Sequence, residues 1–408
     1  MAPGRIIGPM KGGIIDFFRS LTAAGFAATA ISYGPARMGF GLFVPAFRAE
    51  FGLSAAQVGL ISSLGFAGFL VGLLIAQGML GRLGPIGPVL SGLTAATTGL
   101  LIVALTPDVT WLAIGVCLAA SSAGFAWTPF NDAVHRKVRD VDRPTALSEI
   151  STGTSVGIAL AGLTALSMAL CGIGWRVCWG VFAGASALAL VGNGLALRRV
   201  ERAPQARSTP GWRALCKPAA APLAGVAFTF GVTSAVYISF AAGRFAEDGL
   251  PGVPPDSVAP LVFICYGLFG LAGLLTDHAR HRLGLHWLLR LLFLASAGSL
   301  ALAGLCPDSP AALVASAGLQ GINVMMTSAV LAFWSERLFP ALPALGFTAT
   351  LLAMATGSVL GPALAGQIGG ALYPAARFLG TALLPLLAAA FLPGRVTDAR
   401  PGSGLAAT

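Results

Sequence analysis

Apolar runs of about twenty residues recur along almost the whole chain, separated by short polar breaks, and no other feature restricts its fold as much. A helical run of that length spans a ~30 Å hydrocarbon core at ~1.5 Å per residue. Within hydrocarbon no water can satisfy backbone N–H and C=O groups, so each run must close its own hydrogen bonds as an α-helix. Windows of ~19 residues place helices at roughly 21–46, 56–80, 85–106, 110–131, 148–171 and 175–197. They resume at roughly 219–242, 257–277, 284–305, 310–334, 345–370 and 373–395. Only 10% of the 408 residues are charged, against the ~25% that coats a soluble domain. Lipid takes the place of that polar coat, and membrane lipids are the first partners expected.

The net charge of +10 does not signal nucleic acid, because the basic residues sit between apolar runs and form no aromatic-interleaved patch. With the N-terminus inside, twenty of the 25 Lys and Arg fall in inner segments, four (Arg48, Arg176, Arg244, Arg377) fall outside and Arg37 lies within a span. This positive-inside bias predicts an inner (cytoplasmic) membrane location with both termini cytoplasmic. The longest inner connection, Arg198 to Pro218, is rich in Arg, Pro, Ala and Ser and divides the spans six and six.

The two sets of spans are related. Phe47-Arg48-Ala49-Glu50-Phe51-Gly52-Leu53 matches Arg244-Phe245-Ala246-Glu247-Asp248-Gly249-Leu250, and Pro107-Asp108 matches Pro307-Asp308. Gly153 to Gly162 in span five matches Gly357 to Gly366 in span eleven. Each match pairs span n with span n+6, so the repeat is parallel, and a solute site is expected between the halves near the midplane. The expected fold class is all-α, a polytopic membrane protein with twelve transmembrane helices in two six-helix bundles. The expected domains are residues 1–197, a cytoplasmic linker at 198–218, and 219–408.

On these residues the chain resembles the major facilitator superfamily of transporters over nearly its whole length. The signature loop between spans two and three survives in part as Gly78-Met79-Leu80-Gly81-Arg82, with Gly81 in the place of the family's Asp. The second-half copy is better kept: Gly273-Leu274-Leu275-Thr276-Asp277-His278, followed by Arg280. The resemblance implies that Asp277 caps a helix and pairs with a neighbouring Arg to latch the cytoplasmic gate; the first copy keeps Arg82 for gating but, without the Asp, cannot latch in the same way. Ile158 replaces the Pro of the family's antiporter signature. The motif from Tyr33 to Pro45 resembles a prokaryotic branch near sugar and organic-anion permeases. Alternating access, one polypeptide working as a monomer and a small-molecule substrate are what the resemblance implies.

Arg37 is the most informative single residue. A charge deep in a span costs ~2.5 kcal/mol or more unless a cavity, an anion or a polar neighbour offsets it. Tyr33 and Phe40 lie one turn away on the same face, and Pro35 removes a backbone donor. Two readings stand: Arg37 binds a substrate carboxylate by a charge-assisted contact, or it pairs with polar groups of a neighbouring helix. Tyr237, Tyr266, Gln320 and Asn323 are further mid-span candidates for substrate contact. Trp127 and Trp334 read as interface anchors. No span centre holds an acid; Glu149, at the inner start of span five, is the best candidate for carrying a coupling proton.

The six cysteines and four histidines show no metal-ligand spacing, no Walker-type Gly-Lys-Ser/Thr motif is present, and no cofactor or catalytic constellation is expected. The function expected is secondary transport of an organic anion, with proton symport as one coupling. Export of drug-like hydrophobic solutes, through a lining of Phe40, Phe43, Met325 and Met326, is the alternative, and a non-transporting membrane sensor a third reading.

Overall fold

The structure, a computed structural model, describes residues 11–199, 220–340, 343–371 and 374–392, so the expected linker falls almost entirely outside the described residues. The first segment comprises α1 Lys11–Ile31, α2 Arg37–Phe51, α3 Ala55–Leu83, α4 Ile86–Leu105, α5 Val109–Ser121, α6 Trp127–Lys137, α7 Arg143–Leu170 and α8 Trp175–Ala196. The second comprises α9 Ala221–Asp248, α10 Pro255–Gly270, α11 Thr276–Leu305, α12 Pro310–Leu338, α13 Pro343–Ala371 and α14 Pro374–Phe391. Most helices run a turn or more past the apolar windows, because polar end turns project beyond hydrocarbon where hydropathy no longer detects them.

Three spans are built of more than one helix. A π turn at Ser32–Ala36, with Pro35 inside it, joins α1 to α2; without its N–H, Pro35 cannot join the regular ladder, and the helix widens locally. A 3-10 turn at Ser122–Phe125 links α5 to the short α6, and another at Leu271–Leu275 joins α10 to α11. Ten helical stretches among the described residues are long and apolar enough to cross a membrane. One, Pro255–Leu305, has 51 residues, far more than a single crossing needs. It breaks at Gly284, whose φ of 76° is left-handed, into two passes. The helical course Lys11–Phe51, interrupted by its π turn, lies outside that tally of ten.

The internal repeat is visible in backbone detail. α2 and α9 end on corresponding glycines, Gly52 and Gly249, with φ of 64° and 70°. The Pro-Asp match is looser. Asp108 caps α5 by accepting from the backbone N–H groups of Thr110 and Trp111, whereas α12 is capped one residue later, by Ser309.

α1 packs on α7 and α4 on α8 in the first segment; α9 packs on α13 and α11 on α14 in the second. Two long seams join the segments, α3 against α13 and α7 against α10, and α2 also meets α9. The end of the bundle from which α8 leads to α9 is here the linker end, and the opposite one the far end. At the far half the segments touch backbone to backbone. A Cβ on Gly41 would come 2.1 Å from the Ile238 carbonyl oxygen, and one on Gly59 would come 2.3 Å from that of Pro362. Phe47 and Phe245 are fully buried there. Beyond them Arg48 of α2 forms an ion pair with Glu247 of α9. At the linker end Gln77 of α3 donates to the Thr348 hydroxyl of α13 at 3.0 Å.

Candidate solute-binding cavity

A cavity between the segments begins at mid-bundle and runs toward the linker end, with a volume of about 200 Å³. Tyr33, Arg37 and Met38 line it from the first pass, Phe66 from α3, and Ser151, Thr154 and Ile158 from α7. The second segment contributes chiefly Phe230 and Ser234 of α9, Met325 and Ser328 of α12, and Met354 and Ser358 of α13. The lining is thus largely apolar, with scattered hydroxyls and one cation among the described residues. An apolar cavity with a few convergent polar groups is the ordinary form of a small-molecule site.

Arg37 starts α2 immediately after the π turn, fourteen residues before the helix ends at Phe51 and hence ~21 Å from it. Its Nε has no hydrogen-bond partner, and no carboxylate lies within ion-pairing distance among the described residues. Aromatic rings stand in for one: Cζ is 4.4 Å from the centroid of Phe69 and 5.5 Å from those of Tyr33 and Phe66. Ring faces carry partial negative charge and attract a guanidinium, most strongly where water is excluded. They cannot neutralise it, so the charge stays available to the cavity.

The other expected contact residues separate into two groups. Tyr33 joins Arg37 on the cavity wall. Phe40 is buried one turn beyond, stacked on Phe47 at 5.7 Å between centroids, and reaches only a narrow side pocket that it shares with Arg37. Tyr237 and Tyr266 lie behind the wall, their rings 6.3 Å apart, with the Tyr237 hydroxyl 3.1 Å from that of Ser316. Gln320 and Asn323 are buried on α12 away from the cavity. The Asn323 Oδ1 accepts from Thr327, while both polar atoms of the Gln320 amide and the Tyr266 hydroxyl have no partner among the described residues. Of the four residues proposed for an exporter lining, Met325 faces the cavity, and Phe40, Phe43 and Met326 are core.

Sequence reasoning missed several wall residues. Ser151, Thr154 and Ile158 follow i, i+3, i+7 spacing on one face of α7, a signal that was open to reading. Phe66 and Phe69 carried no such signal, since α3 is apolar on every side. Trp127 lines the cavity and Trp334 is fully buried against Phe339, so neither is the interface anchor expected.

The expected gating residues lie at the linker end. Asp277 pairs with Arg280 at 2.5 Å, and Arg280 lies over the Phe333 ring at 3.8 Å. Both carboxylate and guanidinium belong to α11, so this pair does not bridge the segments, and the Asp277 side chain does not cap the helix as the resemblance implies. Arg82 and Glu149 are exposed, off the cavity wall.

The family model of the Major Facilitator Superfamily matches residues 25–284, well over half the chain. The chain belongs to the major facilitator superfamily. Its shape agrees with solved members of that superfamily's fold. A bacterial homologue of the human lysosomal transporter Spinster, in an inward-facing and unoccupied conformation, matches with a TM-score of 0.73 at 18% identity, covering 95% of this chain and 98% of that one. A mutant of the nucleoside transporter NupG matches at 0.71 with 14% identity, covering 91% and 98%. A mutant of the peptide transporter POT matches at 0.70 with 16% identity, covering 98% and 97%. No curated protein matches the chain. As a superfamily member it is a multi-pass membrane protein, and its central gap lies between the segments, where parallel-repeat transporters hold their solute.

Proposed function

We propose that this protein is a secondary transporter that carries an organic anion across the cytoplasmic membrane by alternating access. The observation behind this reading is the Arg37 guanidinium on the cavity wall, framed by three rings and paired with no carboxylate among the described residues. Keeping an uncompensated charge mid-membrane costs several kcal/mol, a cost that a bound carboxylate would offset. The Lys and Arg bias makes the linker end cytoplasmic. With the far end sealed and the cavity leading to the linker end, the conformation is then inward-facing.

In this reading Arg37 holds the carboxylate, Tyr33 borders it, and the apolar wall from Phe66 to Met354 takes the body of the solute. Phe40, Tyr237, Tyr266, Gln320 and Asn323 back that wall and shift as the chain's two six-pass halves rock about the midplane. Among the described residues no carboxylate lines the cavity, so in proton symport the proton rides on the substrate or is relayed by the exposed Glu149.

Proteoliposome flux tests this. Labelled benzoate, a small carboxylate with an apolar body, should enter with wild-type protein, faster under an inward-directed pH gradient. Arg37→Gln should lower that flux tenfold or more, the scale of losing one charge-assisted hydrogen bond. Benzoate flux indifferent to Arg37→Gln overturns the anion reading. Efflux of a hydrophobic dye without carboxylate flux establishes the exporter in its place.

A further inference from the structure

Arginines outside the membrane run against the charge bias, yet three of the four meet on one pocket at the far end. Arg48 reaches it from α2, Arg244 from α9 and Arg377 from α14, with Gly243, Glu247 and Phe240 between them. Its volume is about 110 Å³, room for several water molecules and hence for a carboxylate or phosphate group. No residue of this pocket lines the central cavity.

Among the side chains that line it, cations outnumber carboxylates. One carboxylate, Glu247, stands among three guanidiniums, and it is engaged by Arg48. Arg377 uses only its Nε, which donates to the Ala365 carbonyl at 3.1 Å, while its Cζ sits 4.2 Å from the Phe240 ring centroid. Its two terminal amino groups have no protein partner among the described residues. A planar fork of donors held from behind by a carbonyl and a ring is arranged to take an oxyanion with two parallel hydrogen bonds.

We infer that this pocket is a second anion site, on the extracytoplasmic side, which takes a small oxyanion such as a carboxylate or inorganic phosphate. Because the bound anion competes with Glu247 for Arg48, its arrival loosens the ion pair that ties α2 to α9. The site thereby couples external anion to opening of the far end. This holds whatever the central cavity carries.

The test uses purified full-length protein in nanodiscs, titrated by calorimetry with acetate and, separately, inorganic phosphate at constant ionic strength. At least one probe should bind saturably, and the stronger names the preferred class. Arg377→Gln should weaken binding about tenfold or more. Glu247→Gln should tighten it severalfold, because it removes the competing carboxylate. That opposite sign cannot come from misfolding. Arg37→Gln should leave acetate and phosphate binding unchanged even where it abolishes benzoate flux. Absence of saturable binding, equal affinity in Arg377→Gln, or weaker binding in Glu247→Gln overturns the site.

Gating is read separately, by labelling a cysteine at buried Val58 with an impermeant maleimide after the exposed Cys171 and Cys306 are changed to Ser. Acetate or phosphate should speed labelling, and Glu247→Gln should be fast without either. Binding that leaves the labelling rate unaltered overturns the coupling.

Discussion

Arg48 and Glu247, from corresponding stretches of the two repeat copies, are ion-paired across the far end of the bundle. Their partners in the repeat act differently. Glu50, in the first copy, takes Arg176 and the Trp175 indole N–H, both from the same segment. The same motif therefore braces one segment internally and ties the second to the first.

Both members of the cross-pair are 38% exposed, so its worth is that of a surface pair, about 0.2–1 kcal/mol. Glu247→Gln should consequently lower the melting temperature little. It should nonetheless shift the balance of conformations up to about fivefold toward the far-open state, since ~1 kcal/mol is that factor in a two-state equilibrium. The double variant Arg48→Glu/Glu247→Arg should restore the wild-type balance. Double electron–electron distances across the far end would check both.

Phe69 bears directly on the Arg37 charge, at 4.4 Å. Phe69→Leu keeps the apolar volume and removes the quadrupole, worth about 0.5–2 kcal/mol in a desolvated setting. We expect KM for benzoate to change by roughly two- to thirtyfold while the protein stays folded. No change in KM would remove the ring from the binding account.

Close glycine contacts should divide into two kinds. A Cβ on Gly41 meets the Ile238 carbonyl of the other segment, whereas one on Gly157 meets the Ala30 carbonyl, 2.2 Å away in the same segment. Gly157→Ala should destabilise by about 1–3 kcal/mol as ordinary overpacking. Gly41→Ala should instead penalise only the far-closed state, leaving thermal stability near wild type and raising far-end labelling.

Gln320 is fully buried, and among the described residues neither polar atom of its amide has a partner. An unsatisfied buried group costs about 1–3 kcal/mol, so Gln320→Leu should raise the melting temperature of this conformation. If transport falls at the same time, the amide finds its partner in another conformation or in the solute. A lower melting temperature would mean that an ordered water already satisfies it.

How far the sequence could be read varies with the physics involved. Helix positions were legible because hydrocarbon forces each apolar run to close its own hydrogen bonds, and the ends were missed by a turn or so where that force stops. The break at Gly284 and the disturbance at Pro35 were marked by residue type. Arg37 stood out because a mid-span charge is costly wherever it lies. Gln320 and Asn323 were also legible as mid-span polar residues, yet they sit off the cavity, since an apolar-flanked polar residue does not announce which neighbour its face will meet.

The sequence by itself determined an all-α, multi-pass membrane protein with a parallel internal repeat and a mid-span cation at Arg37, because lipid penalises unpaired backbone and charge irrespective of tertiary context. Only the tertiary structure decided that Phe69 and Phe66 face that cation, that Trp127 joins the cavity wall, and that Arg48, Arg244 and Arg377 meet on one pocket. Those outcomes depend on which helix faces cross in space. Helices apolar on all sides encode that choice in small-residue contacts and packing between segments, and not in any pattern read along one of them.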